Sequence, residues 1–94
     1  MDYDCDPAKR AANLKKHDID FDEAATCLLD EMALVREDGE AFGEQRWVLL
    51  GMSSRGRLLT VVYTMRGNLP RLISARGATT NDATATHANT VRRA

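Results

Sequence analysis

Leu58-Leu59-Thr60-Val61-Val62-Tyr63-Thr64 is the strongest strand signal in the chain. It is β-branched or apolar at both parities, so both faces of a strand built from it want cover, which places it centrally in a sheet. Turns flank it on either side, Ser53-Ser54-Arg55-Gly56 before and Gly67-Asn68-Leu69-Pro70 after. Outside those turns, residues 46–52 and 71–76 read as the neighbouring strands. Pro70 is tolerated at the start of the latter, where no ladder donor is needed. Residues 32–37 make a further strand and 38–43 a loop. Connections this short predict an antiparallel meander.

Upstream of the strands the period changes. Asp6 is a good N-cap acceptor and Pro7 suits the first helical position, so a helix starts at Pro7 and runs through His17. At about 100° per residue it sets Lys9, Asn13, Lys16 and His17 on one polar arc able to hold a phosphate, with Ala8, Ala11, Ala12 and Leu14 opposite. Asp20-Phe21-Asp22-Glu23 resembles a capping box with an acid in place of Ser or Thr. Phe21, Ala24, Ala25 and Leu28 then recur at helical spacing as a stripe for a sheet, and Asp30 ends the helix. The fold class is α+β: two N-terminal helices packed on an antiparallel β-sheet, with a weakly specified C-terminal helix or tail rich in Thr, Ala and Asn.

At 94 residues the chain fits one domain, assigned to 1–78, with 79–94 as the tail. No apolar run nears the roughly 20 residues that span a bilayer, and the start lacks the regions of a signal peptide, so a cytoplasmic protein without membrane contact is expected. Cys5 and Cys27 lack metal-ligand spacing and read as small buried hydrophobes, and neither a metal nor another cofactor is expected. The net charge of −1 conceals a division, because residues 1–44 hold 13 acidic and 5 basic residues, net −8, while 45–94 hold 1 and 8, net +7. All eight of those cations are arginine, which binds phosphate oxygens bidentately. The division fits a nucleic-acid partner as well as a dipolar globule whose halves neutralise each other.

Three segments carry a family resemblance: Asp6-Pro7-Ala8-Lys9 with Asn13-Leu14-Lys15-Lys16-His17 and Phe21; Glu44-Gln45-Arg46 before a strand; and Arg71-Leu72-Ile73-Ser74-Ala75-Arg76. From about Tyr3 to Thr79 the chain resembles the BrnT toxins, RelE-like ribonucleases of bacterial toxin-antitoxin pairs. The resemblance implies a RelE-like sheet flanked by helices, metal-independent cleavage of RNA, translation inhibition, and neutralisation by a BrnA-like antitoxin through which alone DNA would be met. Some positions depart from the pattern. Cys5 stands where an aromatic residue is common, Gly77 where a basic one is usual, and of the family's charged C-terminal helix only Asp82 fits, with Thr86 near the place of its tyrosine.

Cutting RNA without a metal needs a base for the 2′-OH, cations around the phosphorane and an acid for the departing 5′-oxygen. Glu44 is the candidate base, with Arg46 on the same strand face to hold it. Arg76 leads the phosphate-binding candidates by resemblance, followed by Arg57, Arg66 and Arg71, and either His17 or Lys9 supplies the acid. Each residue also has a purely structural reading. Glu44 and Arg46 make an exposed strand ion pair, His17 suits a helix C-terminus, lysines solvate a helix, strand arginines deter aggregation, and Trp47 belongs to a core. Arg71 and Arg76, five apart, face opposite sides of a regular strand and serve one site only if a bulge or the strand end re-aims one. The reading is a toxin of a type II toxin-antitoxin system acting as an endoribonuclease on RNA. The alternative, motivated by the altered tail, is a noncatalytic module that binds an antitoxin-like partner or RNA without cleavage.

Overall fold

A computed structural model describes residues 2–41, 43–79 and 91–92. The elements run β1 (Asp4–Cys5), α1 (Pro7–His17), α2 (Phe21–Thr26), a 3-10 turn (Cys27–Leu29), β2 (Leu34–Ala41), β3 (Glu44–Met52), β4 (Leu58–Arg66), β5 (Leu69–Gly77) and β6 (Val91–Arg92). They build a six-stranded sheet in the order β1-β5-β4-β3-β2-β6. β2 to β5 form the expected antiparallel meander, with β4 inside it. The sheet as a whole is mixed, however, because β1 pairs parallel to β5. β6 adds antiparallel to β2, so these two tail residues are strand. The rest of the weakly specified C-terminal helix or tail, 80–90 and 93–94, lies outside the described residues.

α1 has the predicted limits. The Asp6 side chain accepts from the Ala8 N–H, Pro7 occupies the first turn, and Asp18 closes the helix in the left-handed region. α2 begins at its Asp20 cap but tightens to 3-10 at Cys27, short of the expected run to Asp30. β2 continues through residues read as a loop. Glu37 pairs with Trp47 and Glu40 with Gln45, and a bulge between them absorbs the extra residue. The polar Glu37 to Glu40 run looks like loop because it is exposed, yet the hairpin ladder holds it extended. Likewise the β4 to β5 turn shrinks to Gly67-Asn68, with Leu69 and Pro70 already in β5.

One sheet face receives α2. Phe21, Ala24, Cys27 and Leu28 pack there on Val35, Leu49, Leu59, Val61, Leu72 and Ala75, with Trp47 and Tyr63 at the margin of this core. Burying Phe21 completely contributes about 2–3 kcal/mol. Gly51 lets the 3-10 turn approach, since a Cβ there would lie 3.1 Å from the Cys27 carbonyl and 3.2 Å from the Ala33 side chain. Cys27 is fully buried and its thiol is pushed up to about 12 by desolvation, whereas Cys5 is only half-buried against the core.

α1 guards the sheet edge. β1 covers β5 only at Arg71 and Leu72, and beyond it the Asn13 amide takes over. Its nitrogen donates to the Ala75 and Ile19 carbonyls (2.9 Å each) and its oxygen accepts from the Ala75 N–H (3.0 Å). Asn13 is thus buried and structural, and its amide is not part of a phosphate-holding arc.

Candidate active site

The face opposite α2 carries the even-numbered residues of β3 and β4, among them Glu44, Arg46, Thr64 and Arg66. On β5 the pattern is less simple. Val62 pairs with Ser74 but Tyr63 pairs with Leu72, so Ile73 is an extra, bulged residue. Parity inverts across it, which leaves Leu72 and Ala75 both facing the core. Arg71, opposite Thr64, and Arg76, opposite Thr60, therefore share the other face, as only a bulge allows.

At the β1 end of that face, Asp6, Lys9, Glu44, Arg46, Thr64, Arg66, Arg71 and Ile73 enclose a cleft of about 200 Å³. It gathers Lys9, Glu44, Arg46, Arg66 and Arg71 from four elements. Positive φ at Gly43 (78°) turns the chain into β3 immediately before Glu44. The Glu44 carboxylate is gripped bidentately by Arg66, Nε to Oε2 at 2.6 Å and Nη2 to Oε1 at 3.0 Å, so Arg66 and not Arg46 orients it. That carboxylate raises the guanidinium of Arg66 further above its ordinary range. Arg71 donates to Asp4 at 2.6 Å, and this bond holds the Asp4 carboxyl below the usual range. Thr64 donates to the Gln45 carbonyl at 2.6 Å, fixing β4 beside the start of β3. Among the described residues neither Lys9 nor Arg46 has an ion pair. The cleft thus holds two carboxylates, Glu44 oriented by Arg66 and Asp6 committed to the cap of α1, with two committed guanidiniums and two uncommitted cations. Phosphate is the ligand chemistry that such a donor set fits.

Three other candidates lie elsewhere. Arg57 sits with Glu23, giving Nε to Oε2 at 2.8 Å and a second, shorter bond from Nη2 to Oε1. Ser53 donates to the same carboxylate at 2.7 Å. Arg57 foremost keeps this buried carboxyl well below its ordinary range, against the opposing pull of burial. Arg76 is on the cleft's face but not in its lining, about 13 Å along β5 from Arg71. His17 lines a neighbouring groove with Lys9, Lys16 and Ile73. Trp47 faces the core.

A larger hollow of about 430 Å³ is lined by Asp18, Asp20, Asp22, Glu23, Arg55 and Arg57 with Leu14 and Ser54. Its acids outnumber its cations, and Glu23 already holds Arg57, so it repels a phosphate. Beside it Arg10 bridges Asp20 (2.7 Å) and Asp22 (3.1 Å), and Tyr3 donates to Asp22 at 2.6 Å. Arg10 lowers the Asp20 carboxyl, and burial with the Asp22 bond raises the Tyr3 hydroxyl. Among the described residues no three His, Cys, Asp or Glu side chains converge as metal ligands would.

Sheet, edge helix and cationic cleft define a small α+β protein suited to a polyanionic ligand. Residues 5–82 match the family described as the ribonuclease toxin BrnT of type II toxin-antitoxin systems, and the chain belongs to that family. Its fold is similar to the 1.1 Å crystal structure of the Brucella abortus ribonuclease toxin BrnT. The TM-score is 0.61 at 22% identity, over 84% of this chain and 97% of that one. No curated protein matches the chain.

Proposed function

We propose that this BrnT family member is a metal-independent endoribonuclease that cuts RNA at the Glu44 cleft and so inhibits translation. The carrying observation is the cleft itself, where an oriented carboxylate and uncommitted cations from separate elements meet. Glu44 takes the proton of a ribose 2′-OH and the oxygen attacks the adjacent phosphorus. Arg46, with the outer edges of Arg66 and Arg71, receives the charge of the phosphorane. Lys9 gives a proton to the departing 5′-oxygen, leaving a 2′,3′-cyclic phosphate and a 5′-hydroxyl. Every role falls to a side chain, which supports independence from metal. A RelE-like fold, a cytoplasmic setting, a BrnA-like antitoxin as partner and contact with DNA only through it complete the reading.

Purified protein is expected to cut single-stranded RNA in EDTA, with Glu44→Gln and Arg46→Ala each slowing cleavage about 10²-fold or more. Full activity in either variant would remove the cleft as the active site. One observation favours the noncatalytic alternative, since both oxygens of the Glu44 carboxylate are already engaged by Arg66. Intact RNA after long incubation, together with stable partner binding, would select that reading.

A further inference from the structure

The cleft has an extension that the chemistry above does not use. Lys9, Ala12, Asn13, Lys16, His17, Ile73 and Ser74 line a second groove of about 290 Å³ along α1. Lys9 and Ile73 belong to both hollows, so the two adjoin. Lys9 and Lys16 are seven residues apart, two turns of one helix, hence on one line and about 10 Å from each other. Neither they nor His17 has an ion pair among the described residues. No carboxylate lines the groove, unlike the acidic hollow lined by Leu14 and Asp18 on a different side of α1. The bulge leaves Ile73 half-buried between the two depressions, an apolar surface for a ribose or base edge at their junction.

We infer that this groove is a subsite for the nucleotide flanking the cut. Lys16 holds its phosphate, His17 contacts the sugar-phosphate from the end of the helix, and Ile73 packs against the ribose between subsites. The inference rests on the ribonuclease reading of the cleft, and it makes His17 a binding residue. Single-stranded RNA is the fitting occupant because a strand whose scissile phosphate sits among Lys9, Arg46 and Arg71 must leave the cleft, and this exit is lined by cations.

The test is fluorescence anisotropy with a labelled hexauridylate that is 2′-O-methylated throughout and therefore uncleavable. Lys16→Ala should weaken binding about fivefold and lower the salt slope by about 0.7, the value of one phosphate contact. Lys16→Arg should restore both. Lys15, the adjacent lysine, lines neither hollow, and Lys15→Ala should match the wild type. Equal losses from Lys15→Ala and Lys16→Ala, or no loss from Lys16→Ala, would overturn the subsite. Cleavage of unmodified RNA by the wild type is scored separately, so a failed ribonuclease reading is distinguishable from a failed subsite.

Discussion

Asn13 stands in for a strand. Its amide meets the N–H and carbonyl of Ala75 as a backbone neighbour would, and it also ties down the Ile19 carbonyl after α1. Asn13→Ala strands three buried backbone groups and should destabilise the protein by about 2–4 kcal/mol in urea unfolding. A loss under about 0.5 kcal/mol would mean that water replaces the amide without cost. Helical spacing alone placed Asn13 among the phosphate candidates, because its partner is 62 residues away and an amide suits either role. The same distance effect misassigned the holder of Glu44. Arg46 is near in sequence, but Arg66 reaches Glu44 from the neighbouring strand, 22 residues on.

Between elements, side chains tie α2 to the β3–β4 turn. Glu23 receives Ser53 and Arg57, and the Thr26 hydroxyl receives the Ser54 N–H at 2.8 Å. Arg57→Met leaves the buried carboxylate with only the exposed Arg55, 3.9 Å away, and should cost about 2–3 kcal/mol at pH 7, less than a fully buried pair because Arg57 is partly wet. The sign with pH follows from the lowered Glu23. Its stabilisation is present above the ordinary carboxylate range and is lost as pH falls through the depressed folded value. Wild type and Arg57→Met should therefore converge in stability as pH falls below the ordinary carboxylate range, and a gap constant with pH would assign the loss to packing. The limits of α1 were legible from Asp6 and Pro7, and the central place of β4 from its two-sided apolar run. The extension of β2 was not, since Glu37 to Glu40 is polar and only its pairing with β3 keeps it extended. Nor was the parallel β1, too short for a period to show.

Across the whole molecule the charge division acquires a geometry. Arg46, Arg66, Arg71 and Arg76 share the face opposite α2, while Asp18, Asp20, Asp22 and Glu23 line the hollow beside α2. An antitoxin that silences the protein by covering the cleft must bring carboxylates to that arginine face. Its association should weaken steeply between about 0.05 and 0.5 M salt in titration calorimetry, and salt-independent binding would place it on an apolar surface instead. Composition alone left open whether the two halves merely cancel, because segregation along the chain does not dictate segregation in space.

The bulge at Ile73 makes β5 a matter of counting as well as of spelling. Were all its residues paired in regular alternation, Ala75 and Arg76 would exchange between core and surface, whereas deleting Ile73 itself would remove the bulge and leave Leu72, Ala75 and Arg76 on their present faces. Ile73→Ala or Ile73→Val keeps the count and spares the core. Insertions and deletions at the other positions of this strand act like frameshifts of the sheet, which ties the chain's tolerance here to length before identity.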